Sequence, residues 1–153
     1  MSNFKAVADT AGFIVVSPTG TPLGGLIPHW NVGGWTNSST VDDVSFASAL
    51  IDSIAASYNI DLMRVYSTGF SNGGFFSHRL ASNLSHRIAA IASVAGTFTP
   101  QMQSEFGPSH PTPVMQIHGT ADPTVAYNGS SFNAPIEDVV AFWAEENECN
   151  LMA

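Results

Sequence analysis

Two hydrophobic rhythms alternate along the chain. Phe4, Val7, Ala8 and Ala11 recur at intervals of three and four, which predicts a helix starting almost at Met1. The run "FIVV", residues 13–16, is unbroken and bounded by Gly12 and Pro18. It predicts a strand buried on both faces, as in a parallel sheet. Residues 19–40 are rich in Gly, Pro, Trp and Asn and predict a long loop, of a length that is usually functional or mobile. The helical rhythm then returns. Thr40 is placed to cap it, Asp42 and Asp43 suit its positive end, and Val44, Ala47, Leu50, Ile51 and Ile54 share a face.

Further on, "RVYSTGF" predicts a strand over residues 65–68, with a helix from about Gly73. "RIAAIASVAGTF" and "TPVMQIHG" predict two more strands, the second ending at His118 and Gly119. "APIEDVVAFWAEENEC" predicts a last helix with Val139, Phe142 and Trp143 turned inward. Strands alternating with helices indicate an α/β fold, a mostly parallel sheet flanked by helices. No repeat, linker or low-complexity tract divides the chain, so one domain is expected over residues 1–153.

Composition narrows the possibilities. Hydrophobic residues make up 44% of the 153 and charged residues only 10%, enough to bury a core. Four Lys and Arg stand against 12 Asp and Glu, for a net charge of −8. That argues against nucleic acid and against an anionic membrane surface as partners. No apolar run reaches bilayer-spanning or signal-peptide length, so the expectation is a soluble chain without a leader of its own. Cys149 stands alone, which rules out an internal disulfide and a multi-thiolate metal site. Neither a metal nor a cofactor is expected.

The chemistry concentrates in "TGFSNGG". Gly69-Phe70-Ser71-Asn72-Gly73 is a G-x-S-x-G pattern between a predicted strand and a predicted helix. A serine hydroxyl is a poor nucleophile unless a base takes its proton and donors stabilise the oxyanion. A sharp strand-to-helix turn lifts the serine to the sheet edge and brings backbone N–H groups and the helix's positive end to the developing charge. Flanking glycines relieve crowding at such a turn. The bare pattern is weak evidence for a nucleophile, and the strand–turn–helix context makes it strong. The backbone N–H of Asn72 is the natural oxyanion donor. Asp122, just past a later buried strand, faces the same sheet edge and follows the serine in the order this class uses. Aspartate before Pro123 also suits a plain turn cap.

The order Ser, acid, His then requires a histidine after Asp122, and there is none. His78 falls inside the elbow helix, where a packing or surface role is expected. His86 lies at a helix–strand junction and is expected to be solvated, while His29 and His110 fall in loops. His118 is expected to shape the turn that presents Asp122; it is the possible substitute base, to be tested alongside His29.

Several stretches resemble the poly(3-hydroxybutyrate) depolymerase and feruloyl esterase-like branch of the α/β-hydrolases. They are "VADTAGFIVVSPTG", "WNVGGW", the block from "VDDVSF" through "SNGGFFSHRLA", "RIAAIASVAGTF", "PVMQIHGTADPTVAYNG" and "VAFWAEENEC". The resemblance implies a serine esterase with Ser71 as nucleophile, Asp122 as acid and Asn72 as one oxyanion donor. It implies hydroxyalkanoate polyesters or feruloyl esters as substrates, and a family that is often secreted. It also implies pieces lying outside these residues: upstream strands, a His-Gly loop with the second oxyanion donor, a downstream strand and loop with the triad histidine, and a partner for Cys149. The expected fold is therefore a partial α/β-hydrolase, with sheet edges and apolar faces left to re-pair or to associate into a homo-oligomer. The alternative function is a folded, catalytically impaired chain. Trp30 and Trp35 fit either an acyl pocket or packing anchors.

Overall fold

A computed structural model describes residues 4–23 and 27–149. The opening helix, α1, covers Phe4–Ala11, and its predicted start at Met1 lies outside the described residues. A short antiparallel hairpin follows, β1 (Thr21–Leu23) with β2 (Ile27–His29), inside what the sequence predicts as loop. Then come α2 (Asp43–Ser57), β3 (Tyr66–Phe70), α3 (Asn72–Asn83), β4 (Ala90–Val94), α4 (Pro100–Glu105), β5 (Val114–Ile117) and α5 (Ile136–Glu146). Strands β3, β4 and β5 form a parallel sheet in sequence order, which places their C-terminal ends along one edge.

Two expectations need correction. Residues 13–16 are not a strand. Phe13, Ile14, Val15 and Val16 stay between 41% and 48% exposed and join neither sheet. A β-rich run becomes a strand only beside another backbone that takes up its N–H and C=O groups, and no such neighbour lies alongside it among the described residues. The α2 cap is Asp42, not Thr40: its carboxylate accepts from the Ser45 N–H at 2.9 Å and the Ser45 hydroxyl at 2.6 Å. A carboxylate at this position also favours the helix dipole, and the Ser45 bonds hold its pKa below the usual range.

The sheet carries its side chains in an unexpected sense. In register, Gly69, Ser93 and Gln116 form a row across the three strands, and α3 lies on that row. A Cβ on Gly69 would meet the Gly73 backbone, one on Gly74 would meet the Ser93 hydroxyl, and His78 bonds Gln116. In the next row Ser67 bonds Ser77 at 2.9 Å. The helix-covered face is thus small and polar along the Gly69–Ser93–Gln116 row and at Ser67, while Ile91 and Val114, in register with Ser67, give it an apolar part packed into the core. The opposite face holds Tyr66 and Phe70, 65% and 73% exposed, with Met115 and Ile117, around an open trough lined also by Ala92 and Pro113. The main core lies on the helix side, where Phe75, Phe98, Met102, Val139 and Trp143 are buried.

Candidate active site

Ser71 is the single residue between β3 and α3. Its φ of 52° and ψ of −120° are a conformation that non-glycine residues rarely adopt. Such strain costs of the order of 1–3 kcal/mol and persists only where the surroundings enforce it. Here they do. The Ser71 N–H donates to the Val94 carbonyl at 2.8 Å, continuing the ladder past the end of β3. The Ser71 carbonyl accepts from Gly74 at 2.8 Å and Phe75 at 3.1 Å, starting the helix. Ser71 occupies the cap position of α3, where a serine hydroxyl ordinarily bonds the first turn. It makes no such bond. A second strained residue, Ala95, with φ 51°, lies just past the end of the neighbouring β4.

The glycines around Ser71 are not equivalent. A Cβ on Gly69 would come within 2.3 Å of the Gly73 carbonyl carbon and oxygen, so the first turn of α3 sits directly over Gly69. A Cβ on Gly73 itself would meet nothing within 4 Å, so only the leading glycine of the motif relieves crowding.

Asn72 opens α3, so its backbone N–H has no intrahelical acceptor and lies at the positive helix end. Its side chain does something sequence reasoning missed. Oδ1 accepts from the Trp30 N–H at 2.7 Å, and Nδ2 donates to the Trp30 carbonyl at 3.0 Å. The amide thereby clamps the loop after β2 to the elbow. Trp30 stacks on Phe76 of α3, centroids 4.7 Å apart, and packs near Phe46 of α2, so it is an anchor. Trp35 meets Phe75 edge-on and remains 44% exposed. Asn72→Ala is expected to cost about 1–2 kcal/mol, because it leaves the Trp30 N–H and C=O without partners. Its urea midpoint should fall while the midpoint of a surface control, Gln103→Ala, stays put.

Asp122 follows β5 at the same sheet edge. Its Oδ1 accepts from the backbone N–H groups of Thr124 at 2.8 Å and Val125 at 2.9 Å, which makes it the cap of its own turn. Those bonds, with the nearby His118 imidazole, hold its carboxyl below the usual range. Oδ2 lies 3.7 Å from His118 Nε2. His118 in turn bonds the Val125 carbonyl through Nε2 at 2.8 Å, so it braces the Asp122 turn. A carbonyl only accepts, so the Nε2 proton is committed, while Nδ1 is buried with no partner.

The other histidines are dispersed. His86 and His110 are exposed. His29 is buried in the hairpin, with Nδ1 3.4 Å from the Ile27 carbonyl and Nε2 unpartnered. His78 is fully buried and spends both ring nitrogens on Trp143 and Gln116. No histidine hydrogen-bonds Ser71 among the described residues, and no group of side chains there is placed to hold a metal.

A parallel sheet flanked by helices, with a strained serine at a strand-to-helix turn, has the architecture of a partial α/β-hydrolase. Comparison with known proteins agrees. Residues 15–142 match the family described as phospholipase/carboxylesterase, and the chain belongs to that family of α/β-hydrolases. It is 33% identical over 126 residues to a bifunctional acetylxylan esterase/xylanase of Neocallimastix patriciarum, covering 82% of this chain and 17% of the relative. It is 35% identical over 133 residues to a putative esterase of Nocardia uniformis subsp. tsuyamanensis, covering 85% and 37%. A feruloyl esterase B of Piromyces equi is 30% identical over 131 residues, covering 78% and 24%. The chain thus spans between 17% and 37% of the length of these relatives.

Proposed function

We propose that the chain carries the nucleophile and acid of a serine carboxylic-ester hydrolase. The observation that carries this reading is the strained, uncapping Ser71 at the β3–α3 turn. Its Oγ attacks the ester carbonyl and its proton passes to a base. The bond to the alcohol oxygen breaks, and water then releases the acid from the acyl-enzyme. The Asn72 N–H faces the oxyanion. Asp122, anchored through Oδ1, keeps Oδ2 for orienting an imidazole. His118 serves the turn rather than the proton transfer. The relatives named as an acetylxylan esterase and a feruloyl esterase favour acetyl or feruloyl esters as substrates, with polyester a further candidate.

One observation favours a second reading, a folded chain with impaired activity: the histidines are engaged elsewhere or exposed, and none bonds Ser71. Loss of a triad member leaves only the residual catalysis of binding and the oxyanion hole. Hydrolysis of p-nitrophenyl acetate and labelling by a fluorophosphonate separate the two. On the first reading, Ser71→Ala abolishes the label and lowers kcat/KM by about 10³-fold or more. Wild type and Ser71→Ala hydrolysing at one slow rate, with neither labelled, leaves only the second.

We also propose that copies of the chain associate through the open sheet. The exposed face of Tyr66, Phe70, Met115 and Ile117, with the outer edges of β3 and β5, supports this. Light scattering should give a mass of two or more chains, and Phe70→Lys should lower it. A monomer at every concentration would refute it.

A further inference from the structure

His78 lies outside the proposed catalytic set, yet it is the largest buried ionisable side chain of α3. Its bonds form a directed chain. The Trp143 indole N–H is only a donor, so at 3.0 Å His78 Nδ1 must accept and carries no proton. The neutral ring therefore bears its proton on Nε2, which donates to Gln116 Oε1 at 3.0 Å. Gln116 Nε2 then donates to the Gly96 carbonyl at 2.8 Å. Every donor in the series meets an acceptor. Trp143 belongs to α5, His78 to α3, Gln116 to β5, and Gly96 to the exit of β4.

The chain closes on the elbow. Gly96 is also the residue that packs against Gly74 in the first turn of α3, where a Cβ on either would collide with the other's backbone. Helix α3 thus grips the β4 exit twice, directly at Gly74 and through Gln116 at His78. Gln116 stands two residues before His118 on the strand that leads to Asp122. The aromatic walls are Phe98, edge-on at 5.0 Å, and Trp143, stacked at 6.1 Å. Trp143, Gln116 and Phe98, the groups that face the ring from α5, β5 and the β4 exit, neither titrate nor carry charge.

We propose that His78, as the neutral Nε2–H tautomer, is a positioning residue that fixes the Ser71 helix against the Asp122 strand. The proposal rests on Ser71 and Asp122 acting at one site. Glutamine is the conservative replacement, because its Oε1 can accept from Trp143 while its Nε2 donates to Gln116. Leucine fills the space and makes neither bond.

The test uses the full chain and scores the rate of Ser71 labelling by a fluorophosphonate per folded molecule. His78→Leu and Gln116→Leu should each slow labelling by about tenfold or more, the double variant should be no slower than either, and His78→Gln should recover most of the rate. Leucine variants labelled at the wild-type rate overturn the proposal. If wild-type Ser71 takes no label, the esterase reading fails alone, and amide exchange of β5 becomes the readout. Exchange at residues 114–117 should then rise about tenfold or more in the leucine variants and not in His78→Gln. Unchanged exchange overturns the proposal. Should the leucine variants not fold, nitrogen NMR of the wild-type imidazole decides: protonated Nε2 and bare Nδ1 are expected, and a proton on Nδ1 at neutral pH overturns it.

Discussion

Gly69→Ala should destabilise the protein by about 3 kcal/mol or more, whereas Gly73→Ala, at the other end of the same motif, should be neutral or slightly stabilising. At Gly69 the new methyl would sit 2.3 Å from the Gly73 carbonyl carbon and oxygen. The obstacle is backbone, so no rotamer relieves it. Nor can the first turn of α3 withdraw. Gly74 already rests on Ser93 and Gly96, and the Ser71 N–H is tied to Val94. Movement there would release the strained Ser71 conformation along with the clash. At Gly73 the methyl would enter open space, and alanine is a better helix former by about 1 kcal/mol. Urea midpoints of the two variants give the comparison. Equal midpoints would mean that the elbow is soft and that the geometry of Ser71 is not enforced from beneath. In a folded remnant of Gly69→Ala, Ser71 should also lose its reactivity towards a fluorophosphonate.

That asymmetry is invisible in the pattern G-x-S-x-G, where both glycines look alike. What the sequence does disclose is local. The charges and periodicity of α2, the strand–turn–helix at Ser71 and the order of the later strands are short-range signals, and they appear where expected, with the α2 cap alone moved from Thr40 to Asp42. Helix α4 carries such a signal too, Thr99 as cap followed by Pro100. The failures are non-local. Residues 13–16 have every attribute of a strand except a neighbour, and strand formation depends on the neighbour. The apolar positions of β3 and β5 look like core, yet Tyr66, Phe70, Met115 and Ile117 are exposed while Ser67, Ser93 and Gln116 face α3. Periodicity identifies two faces of a strand but not which one a helix covers. The clamp of Asn72 on Trp30 and the link from Trp143 through His78 to Gln116 join residues 42, 65 and 38 positions apart, beyond any spacing rule.

Acidification should weaken the fold in two separable steps, and the upper one belongs to His78. Unfolded, its imidazole titrates near 6.5. Folded, burial with no compensating negative charge pushes it down to about 4. Between those values the unfolded chain binds a proton that the folded chain refuses, so each downward step in pH favours unfolding. The stability is complete above about pH 6.5, declines through the window, and by pH 4 has fallen by about 3 kcal/mol from this one group. The hydrogen bonds give the same sign independently: a proton on Nδ1 would face the Trp143 N–H, donor against donor. The lower step has the opposite origin. Asp42, Asp52, Asp61 and Asp122 are held below their ordinary range by hydrogen bonds, so their contribution is present above about pH 3.9 and lost beneath it. His78→Gln distinguishes the two, since glutamine keeps the bonding pattern and does not titrate. Urea denaturation between pH 7 and pH 4 should show a falling midpoint in the wild type and a nearly level one in His78→Gln, with both falling together below pH 4. Parallel curves across the upper window would mean that His78 is protonated in the native protein, and that the chain of donors from Trp143 to Gly96 does not hold in solution.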